Sequence, residues 1–212
     1  MHIMGKIIYN RFDKHDIQGL PRAVFEGRII VINTSADAEK AVSYLLSQNI
    51  LGIDTETRPS FKKGRTHEVA LLQVSTHDTC FLFRLNLTGL TPAIIRLLED
   101  ENVTKVGLSL HDDINSLHKR ADFVPGKFID LQKHVCELGV EDLSLQKLYA
   151  NFFRQKISKS VRLSNWENDV LSDSQKLYAA TDAWACINIY EELMRLEKTG
   201  DYQLIKIEKH EN

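Results

Sequence analysis

The sequence is poor in cysteine, which limits the cross-links that it can form. Its 212 residues include three cysteines, Cys80, Cys136 and Cys186. They are odd in number, lie far apart and form no C-x-x-C pair. A disulfide framework needs paired cysteines, and a cysteine zinc site needs closely spaced ones. We therefore expect reduced cysteines in or near the core, and neither a disulfide framework nor a cysteine zinc site.

Long apolar runs are absent too. No stretch reaches the roughly 20 residues of a membrane-spanning helix, and residues 1–11 mix charged and apolar side chains without a signal-peptide core. We predict a cytoplasmic protein with no membrane partner. Since 43% of the residues are hydrophobic and no repeat or interdomain linker is visible, we expect one domain with one sizeable core over residues 1–212.

A surplus of positive charge is also missing. The 27 Lys and Arg residues face 29 Asp and Glu residues, and the formal net charge is −2. The overall charge therefore gives no attraction to nucleic acid, whose phosphates are usually met by clustered Lys and Arg. Any such attraction would have to come from local basic clusters.

What the sequence does contain is a strand that carries two carboxylates. The short apolar run at 50–53 predicts a buried strand. Because strand side chains alternate, Asp54 and Glu56 share one face and Thr55 lies on the other. Repulsion between two such anions is costly unless a proton or a cation intervenes, and a hard divalent cation such as Mg²⁺ suits oxygen ligands. This stretch alone leaves equally open a wet strand end without function.

The other patterns predict an α/β layer with a mixed sheet. Two predicted strands extend the acidic strand into a three-stranded meander, and two more lie elsewhere. Residues 1–26 show no clear pattern, and 201–212 are predicted to be a polar tail with an apolar patch. The predicted strands are 27–32, 68–75, 79–85 and 103–108. The predicted helices are 34–48, 91–100, 111–120, 131–138, 143–153 and 172–196, with capping residues at Thr34, Thr91 and Ser172.

Further carboxylates belong to two predicted helices. Helix periodicity places Asp112 on a polar stripe and Asp113 on the apolar side, facing the sheet, although a helix N-terminus also favours an acid there. In the last helix, Tyr178 and Asp182 are four residues apart and share a face. Taken alone, Tyr178 is more simply a core residue with a bonded hydroxyl. Together with the strand pair, these residues predict four acids and one phenol that converge on one side of the sheet.

Three segments together resemble the motifs of the DEDD superfamily of 3′-to-5′ exonucleases. They are Ile-Asp-Thr-Glu-Thr at 53–57, Lys-Val-Gly-Leu-Ser-Leu-His-Asp-Asp at 105–113 and Leu-Tyr-Ala-Ala-Thr-Asp-Ala at 177–183. Over about 31–196 the chain is similar to ribonuclease D and to the exonuclease domain of the Werner syndrome protein. The branch that uses histidine places it five residues before the final aspartate, where this chain has Leu177. The resemblance is therefore to the tyrosine branch (DEDDy).

The resemblance implies a ribonuclease H-like fold, a mixed β-sheet flanked by α-helices, in a single 3′-5′ exonuclease domain. The motif-bearing core would lie at about 27–198, and a short tail at 199–212. The activity implied is hydrolysis of phosphodiester bonds from the 3′ end with release of nucleoside monophosphates. Its implied cofactors are two divalent metal ions, Mg²⁺ or Mn²⁺.

By analogy with the family, each motif residue takes a role. Asp54 would bridge both ions, Glu56 and Asp182 would hold the ion with the attacking water, and Asp113 would support the other ion through water. Tyr178 would orient the water, because an unperturbed phenol near pKa 10 is a poor base at neutral pH.

Two basic clusters fit a polyanionic substrate, a loop at 58–67 and a run at 154–162. Their cations would meet phosphates while an aromatic ring stacks on a base, although both are also readable as solvated loops. The expected partner is single-stranded or 3′-recessed nucleic acid, DNA or RNA, with no obligate protein partner. The residues expected to bind it are Phe61, Lys62, Lys63, Arg65 and Arg162.

Two other interpretations compete with the nuclease. A catalytically inactive nucleic-acid-binding or adaptor module on the same fold would be expected to lack a carboxylate, and this chain has all four acids and the tyrosine. A purely structural α/β protein would require the motif order to be a coincidence. The chain lacks the extra helical domains of ribonuclease D and any helicase segment, so we expect a stand-alone catalytic domain. The motifs do not distinguish DNA from RNA.

Overall fold

The structure is a computed structural model that describes residues 5–62, 64 and 66–208. Its centre is a six-stranded sheet with the order β2-β5-β4-β3-β6-β7. The strands are β1 (Lys6–Tyr9), β2 (Arg28–Ile32), β3 (Ile50–Thr57), β4 (Val69–Ser75), β5 (Thr79–Arg84), β6 (Thr104–Gly107), β7 (Phe128–Asp130) and β8 (Tyr202–Ile205). The helices are α1 (Lys14–Gln18), α2 (Ser35–Leu45), α3 (Leu85–Thr88), α4 (Pro92–Glu99), α5 (Leu110–His118), α6 (Leu131–Glu137), α7 (Leu145–Phe153) and α8 (Asp173–Thr199).

The acidic strand β3 lies inside this sheet. It forms the predicted antiparallel meander with β4 and β5. The other pairs are parallel, β2 with β5, β6 with β3, and β7 with β6. The predicted α/β class, a mixed sheet flanked by helices, is confirmed. Among the described helices, none combines the length and apolar character needed to span a bilayer.

Helices cover both faces of the sheet, and side-chain alternation along the strands sorts their contacts. Leu51 and Ile53 pack in one hydrophobic cluster with α2 and α4. On the opposite face, Leu71 and Leu82 pack against small residues of α8. A capping box formed by Ser172 with Gln175 opens α8, as its sequence predicts.

A glycine sets the distance between α8 and β3. A Cβ at Gly52 would lie 1.9 Å from the carbonyl oxygen of Ala183. Only glycine fits at such a close approach of two backbones. The contact brings the middle of α8 against β3, one residue from Asp182 on the helix and two residues from Asp54 on the strand.

Three short strands differ from the sequence predictions. β7 lies between the predicted helices 111–120 and 131–138, where no strand was predicted, and it is only three residues long. β1 and β8 pair in parallel as a separate two-stranded sheet, so the predicted polar tail is wrong for Tyr202–Ile205. This pairing joins opposite ends of the sequence, which local periodicity cannot reveal.

Candidate active site

Three carboxylates from β3 and α8 meet on the α8 face of the sheet. Asp54 and Glu56 point to this face because they alternate with Thr55 along the strand. One oxygen from each of Asp54, Glu56 and Asp182 lies within 4.8 Å of the other two. Glu56 and Asp182 are 8% and 7% exposed, so little water screens their charges. The structure therefore brings together three of the four acids that the sequence singled out.

Burial and mutual repulsion raise the pKa values of this cluster. Burial, then the charges of Asp113, Asp182 and Glu56, raises the pKa of Asp54 well above its ordinary value. Burial, then Asp182 and Asp113, raises the pKa of Glu56 to about 9, and burial raises that of Asp182 to about 7. Among the described residues, Asp182 Oδ1 is buried without a hydrogen-bond partner. Such a site favours a proton or a cation.

The fourth acid, Asp113, reaches the cluster from the other side of the sheet. It lies on α5, in the layer that packs against Leu51 and Ile53, and accepts a hydrogen bond from the Thr55 hydroxyl. β3 pairs with β6 only at residues 50–52, which leaves an open strand edge beside the start of α5. The expectation that all four acids lie on one side is therefore wrong for Asp113. Its charge still raises the pKa values of Asp54 and Glu56.

Asp130 holds the start of α5, and sequence reasoning missed it. Its carboxylate accepts hydrogen bonds from the backbone N–H groups of Ser109 and Leu110, at 3.2 and 2.9 Å. Ser109 has a positive φ of 60°, so the chain turns sharply there before α5 begins. The parallel pairing of β6 with β7 places Asp130 opposite Gly107. Only the tertiary structure shows this, because β7 gives too weak a sequence signal.

Tyr178 lies on α8 one turn before Asp182 and is 9% exposed. Its ring lies 6.1 Å from that of Trp166, which is fully buried. Burial, then the charges of Asp182 and Glu56 and a hydrogen bond with Asp182, raises the pKa of Tyr178. The phenol therefore stays protonated, as a hydrogen-bond donor, throughout the neutral range.

The second basic run forms one wall of the site. Lys159 and Arg162 line a cavity of about 160 Å³ together with Tyr178 and Asp182. The charge of Lys159 lowers the pKa of Asp182, and that of Arg162 lowers the pKa of Glu56. Arg162 was among the predicted nucleic-acid-binding residues. Lys159 belonged only to the basic run, and the structure adds it to the site.

The first basic loop is anchored at both ends by one carboxylate. Glu167 accepts a hydrogen bond from Arg58 at 3.1 Å and pairs with Nδ1 of His67 at 3.1 Å. Between these two anchors Phe61 is 84% exposed, and Lys62 is exposed as well. The other two predicted binding residues of this loop, Lys63 and Arg65, lie outside the described residues. Sequence reasoning did not identify Glu167, because nothing local links it to the loop.

The geometry agrees with comparisons to known proteins. A family model described as 3'-5' exonuclease matches residues 29–197. The chain is 31% identical over 205 residues to the mouse bifunctional 3'-5' exonuclease/ATP-dependent helicase WRN, and this match covers 90% of the chain and 14% of the mouse protein.

Solved structures share the fold. The Nibbler EXO domain of Aedes aegypti has a TM-score of 0.73 at 22% identity, over 82% of this chain and 90% of that one. Escherichia coli RNase D has a TM-score of 0.72 at 19% identity, over 82% of this chain and 46% of that one.

Proposed function

This chain belongs to the 3'-5' exonuclease family, and on that premise we propose that it hydrolyses phosphodiester bonds from the 3′ end of a nucleic acid and releases nucleoside monophosphates. The proposal is carried by the convergence of Asp54, Glu56 and Asp182 within 4.8 Å. In a buried pocket these groups repel one another, which is unfavourable for stability but suits a site that binds cations. The inactive alternative is not favoured, because the chain has all four acids of the family pattern and three of them converge.

The carboxylates fit two divalent ions, for which we propose Mg²⁺ or Mn²⁺. The donor set contains oxygen alone, which these hard cations prefer, and the unpartnered Oδ1 of Asp182 is a free ligand atom. Asp54, Glu56 and Asp182 would hold one ion, and Asp54 with Asp113 would hold the second, with Asp113 acting through water. The chemistry that such ions supply is activation of a water and stabilisation of the leaving 3′ oxygen.

The neighbouring residues would position the substrate. Tyr178, whose raised pKa keeps the phenol protonated beside Asp182, would donate a hydrogen bond that orients the attacking water. Lys159 and Arg162 border the cavity beside the carboxylates and would meet phosphate oxygens. Phe61, exposed at the tip of the anchored loop, would stack on a base near the 3′ end.

The substrate we propose is single-stranded or 3′-recessed nucleic acid. Among proteins of this fold, the RNase D of Trypanosoma brucei has been solved in complex with RNA U12. The cavity beside Asp182 is small, which suits the end of one strand better than a duplex. Matched DNA and RNA oligonucleotides of one sequence, digested side by side, would determine which sugar the enzyme prefers.

The direct test is nucleotide release from a labelled single strand with Mg²⁺ or Mn²⁺ and with chelator. We expect Asp54→Asn to abolish the release, because it removes a central ligand while keeping the side-chain volume. Asp112→Asn is the matched control, since Asp112 is exposed beside Asp113 and should not be needed. Full activity of Asp54→Asn, or activity that survives the chelator, would end the proposal.

A further inference from the structure

A second group of metal-binding side chains lies far from the candidate active site. His134 and Glu137 are three residues apart on α6 and so share one helix face. Glu197 lies near the end of α8, and one ligand atom from each of the three lies within 4.8 Å of the other two. Asp182 is 15 positions earlier on α8, about 22 Å away along the helix axis. The group is therefore separate from the carboxylates described above.

The central observation is a buried ring nitrogen without a hydrogen bond. In the described part of the chain, Nδ1 of His134 is buried and has no hydrogen-bond partner. It lies 3.8 Å from Oε2 of Glu137 and 3.7 Å from Oε1 of Glu197. Both distances exceed the roughly 3.2 Å limit of a normal hydrogen bond. An unsatisfied buried nitrogen is unfavourable, so a partner between the three groups would stabilise the fold.

Other histidine–glutamate pairs in this protein behave differently. His67 approaches Glu167 to 3.1 Å, and His77 approaches Glu191 to 2.8 Å. Those are ordinary hydrogen bonds, whereas His134 stays at nearly equal and longer distances from two carboxylates. Among the described residues, neither of those carboxylates pairs with a lysine or an arginine. Around a tetrahedral ion with ligand bonds of about 2.0–2.1 Å, ligand atoms are roughly 3.4 Å apart, close to the spacing seen here.

We propose that His134, Glu137 and Glu197 form a second metal site, for a divalent transition-metal ion such as Zn²⁺. A set of one imidazole and two carboxylates suits Zn²⁺, whereas Mg²⁺ favours oxygen ligands alone. Three protein ligands leave the fourth position to water. The ion joins the end of α6 to the end of α8, beside the β1–β8 sheet, where Leu204 packs in the same hydrophobic cluster as both helices.

The test uses the full chain with Asp54→Asn and Asp182→Asn, which removes two ligands of the active site. Dialysis against Zn²⁺ followed by metal analysis should give one equivalent per chain, and Mg²⁺ at the same concentration should give none. Zn²⁺ should also raise the unfolding temperature, because the ion binds the folded state. Adding Glu197→Gln should weaken Zn²⁺ binding at least about tenfold and remove the thermal shift.

The matched control is Glu191→Gln, which removes a carboxylate from the exposed His77 pair on the same helix. It should leave Zn²⁺ stoichiometry and the thermal shift unchanged. Glu197 is partly exposed, so the Gln variant is expected to fold, and its metal-free unfolding temperature checks this. His134→Ala, measured in the same background, should lose Zn²⁺ as Glu197→Gln does. The proposal is overturned if the reference chain binds no stoichiometric Zn²⁺, or if both ligand variants bind it as the reference does.

Discussion

At the scale of single residues, Tyr178 is positioned to act through its hydroxyl alone. The phenol is buried against Trp166 and its pKa is raised, so it cannot serve as a base near neutral pH. We expect Tyr178→Phe to lower kcat roughly 10- to 100-fold, the loss of one orienting hydrogen bond, with little change in KM. Steady-state kinetics on a short oligonucleotide checks this. An unchanged kcat would remove Tyr178 from the catalytic site.

Lys159 provides a prediction about binding instead of rate. Its ammonium acts electrostatically on Asp182, close to where a phosphate would lie. We expect Lys159→Gln to raise KM. A plot of the logarithm of the association constant against the logarithm of the salt concentration should become less steep by about 0.7, the contribution of one phosphate contact on a single strand. Lys40→Gln is the charge-matched control, because Lys40 is 81% exposed on α2, in the layer on the opposite face. Equal salt slopes in both variants would contradict the assignment.

The residues of the site differ in how far the sequence reveals them. Asp54, Glu56, Tyr178 and Asp182 could be grouped because strand alternation and helix spacing are local rules. Asp113 was assigned correctly to the sheet-facing side of α5. Which face of the sheet α5 covers depends on the topology of the whole fold, so the sequence did not reveal it. Three residues around the site could not be predicted, because their roles depend on contacts between distant segments. They are Asp130, Lys159 and Glu167.

At the scale of helices and strands, the site depends on how closely α8 approaches β3. The backbone of Ala183 leaves no room for a side chain at Gly52. A Cβ added there would lie 1.9 Å from the carbonyl oxygen of Ala183. We expect Gly52→Ala to lower the free energy of unfolding by about 1–3 kcal/mol, as overpacking does, and to abolish nuclease activity by displacing Asp182 from Asp54. Denaturant unfolding and nucleotide release measure the two effects.

Gly19 is the control for that substitution. A Cβ there meets nothing within 4 Å and the residue has a helical φ of −78°, so Gly19→Ala should keep both stability and activity. If Gly52→Ala behaved in the same way, the close approach of α8 to β3 would not be what positions the carboxylates.

Most elements could be predicted because their signals are local. Capping residues and hydrophobic periodicity placed α2, α4 and α8, and β-branched runs placed β2 to β5, within a few residues. β1 and β8 are stabilised by their pairing with each other. Buried contacts add to this, such as those of Ile8 in the hydrophobic cluster that includes α6 and α8. The pairing of the two strands is set by the whole fold, so two four-residue segments near opposite ends of the sequence gave no indication of it.

At the scale of the whole molecule, the carboxylate cluster couples stability to pH and to divalent ions. The folded-state pKa values of Asp182 and Glu56 are raised to about 7 and about 9, above those of the unfolded chain. Over this range the folded state binds more protons than the unfolded state, so stability falls as pH rises. Divalent ions bound by these carboxylates would replace those protons and would stabilise the folded chain.

We therefore expect the unfolding temperature of the metal-free protein to fall between pH 6 and pH 9, the interval in which Asp182 and Glu56 ionise. The rise in unfolding temperature on adding Mn²⁺ should grow over the same interval, because fewer protons compete for the carboxylates. Asp54→Asn should stabilise the metal-free protein at pH 8, because the amide cannot ionise in a position where burial and the neighbouring acids disfavour a charge. It should also lessen both trends, whereas the exposed control Asp112→Asn should leave them as they are. Thermal unfolding with chelator and with Mn²⁺ measures all of this. A metal-free unfolding temperature that stays level from pH 6 to pH 9 would show that the three carboxylates are not close enough to repel one another, and the cation site built from them would lose its physical basis.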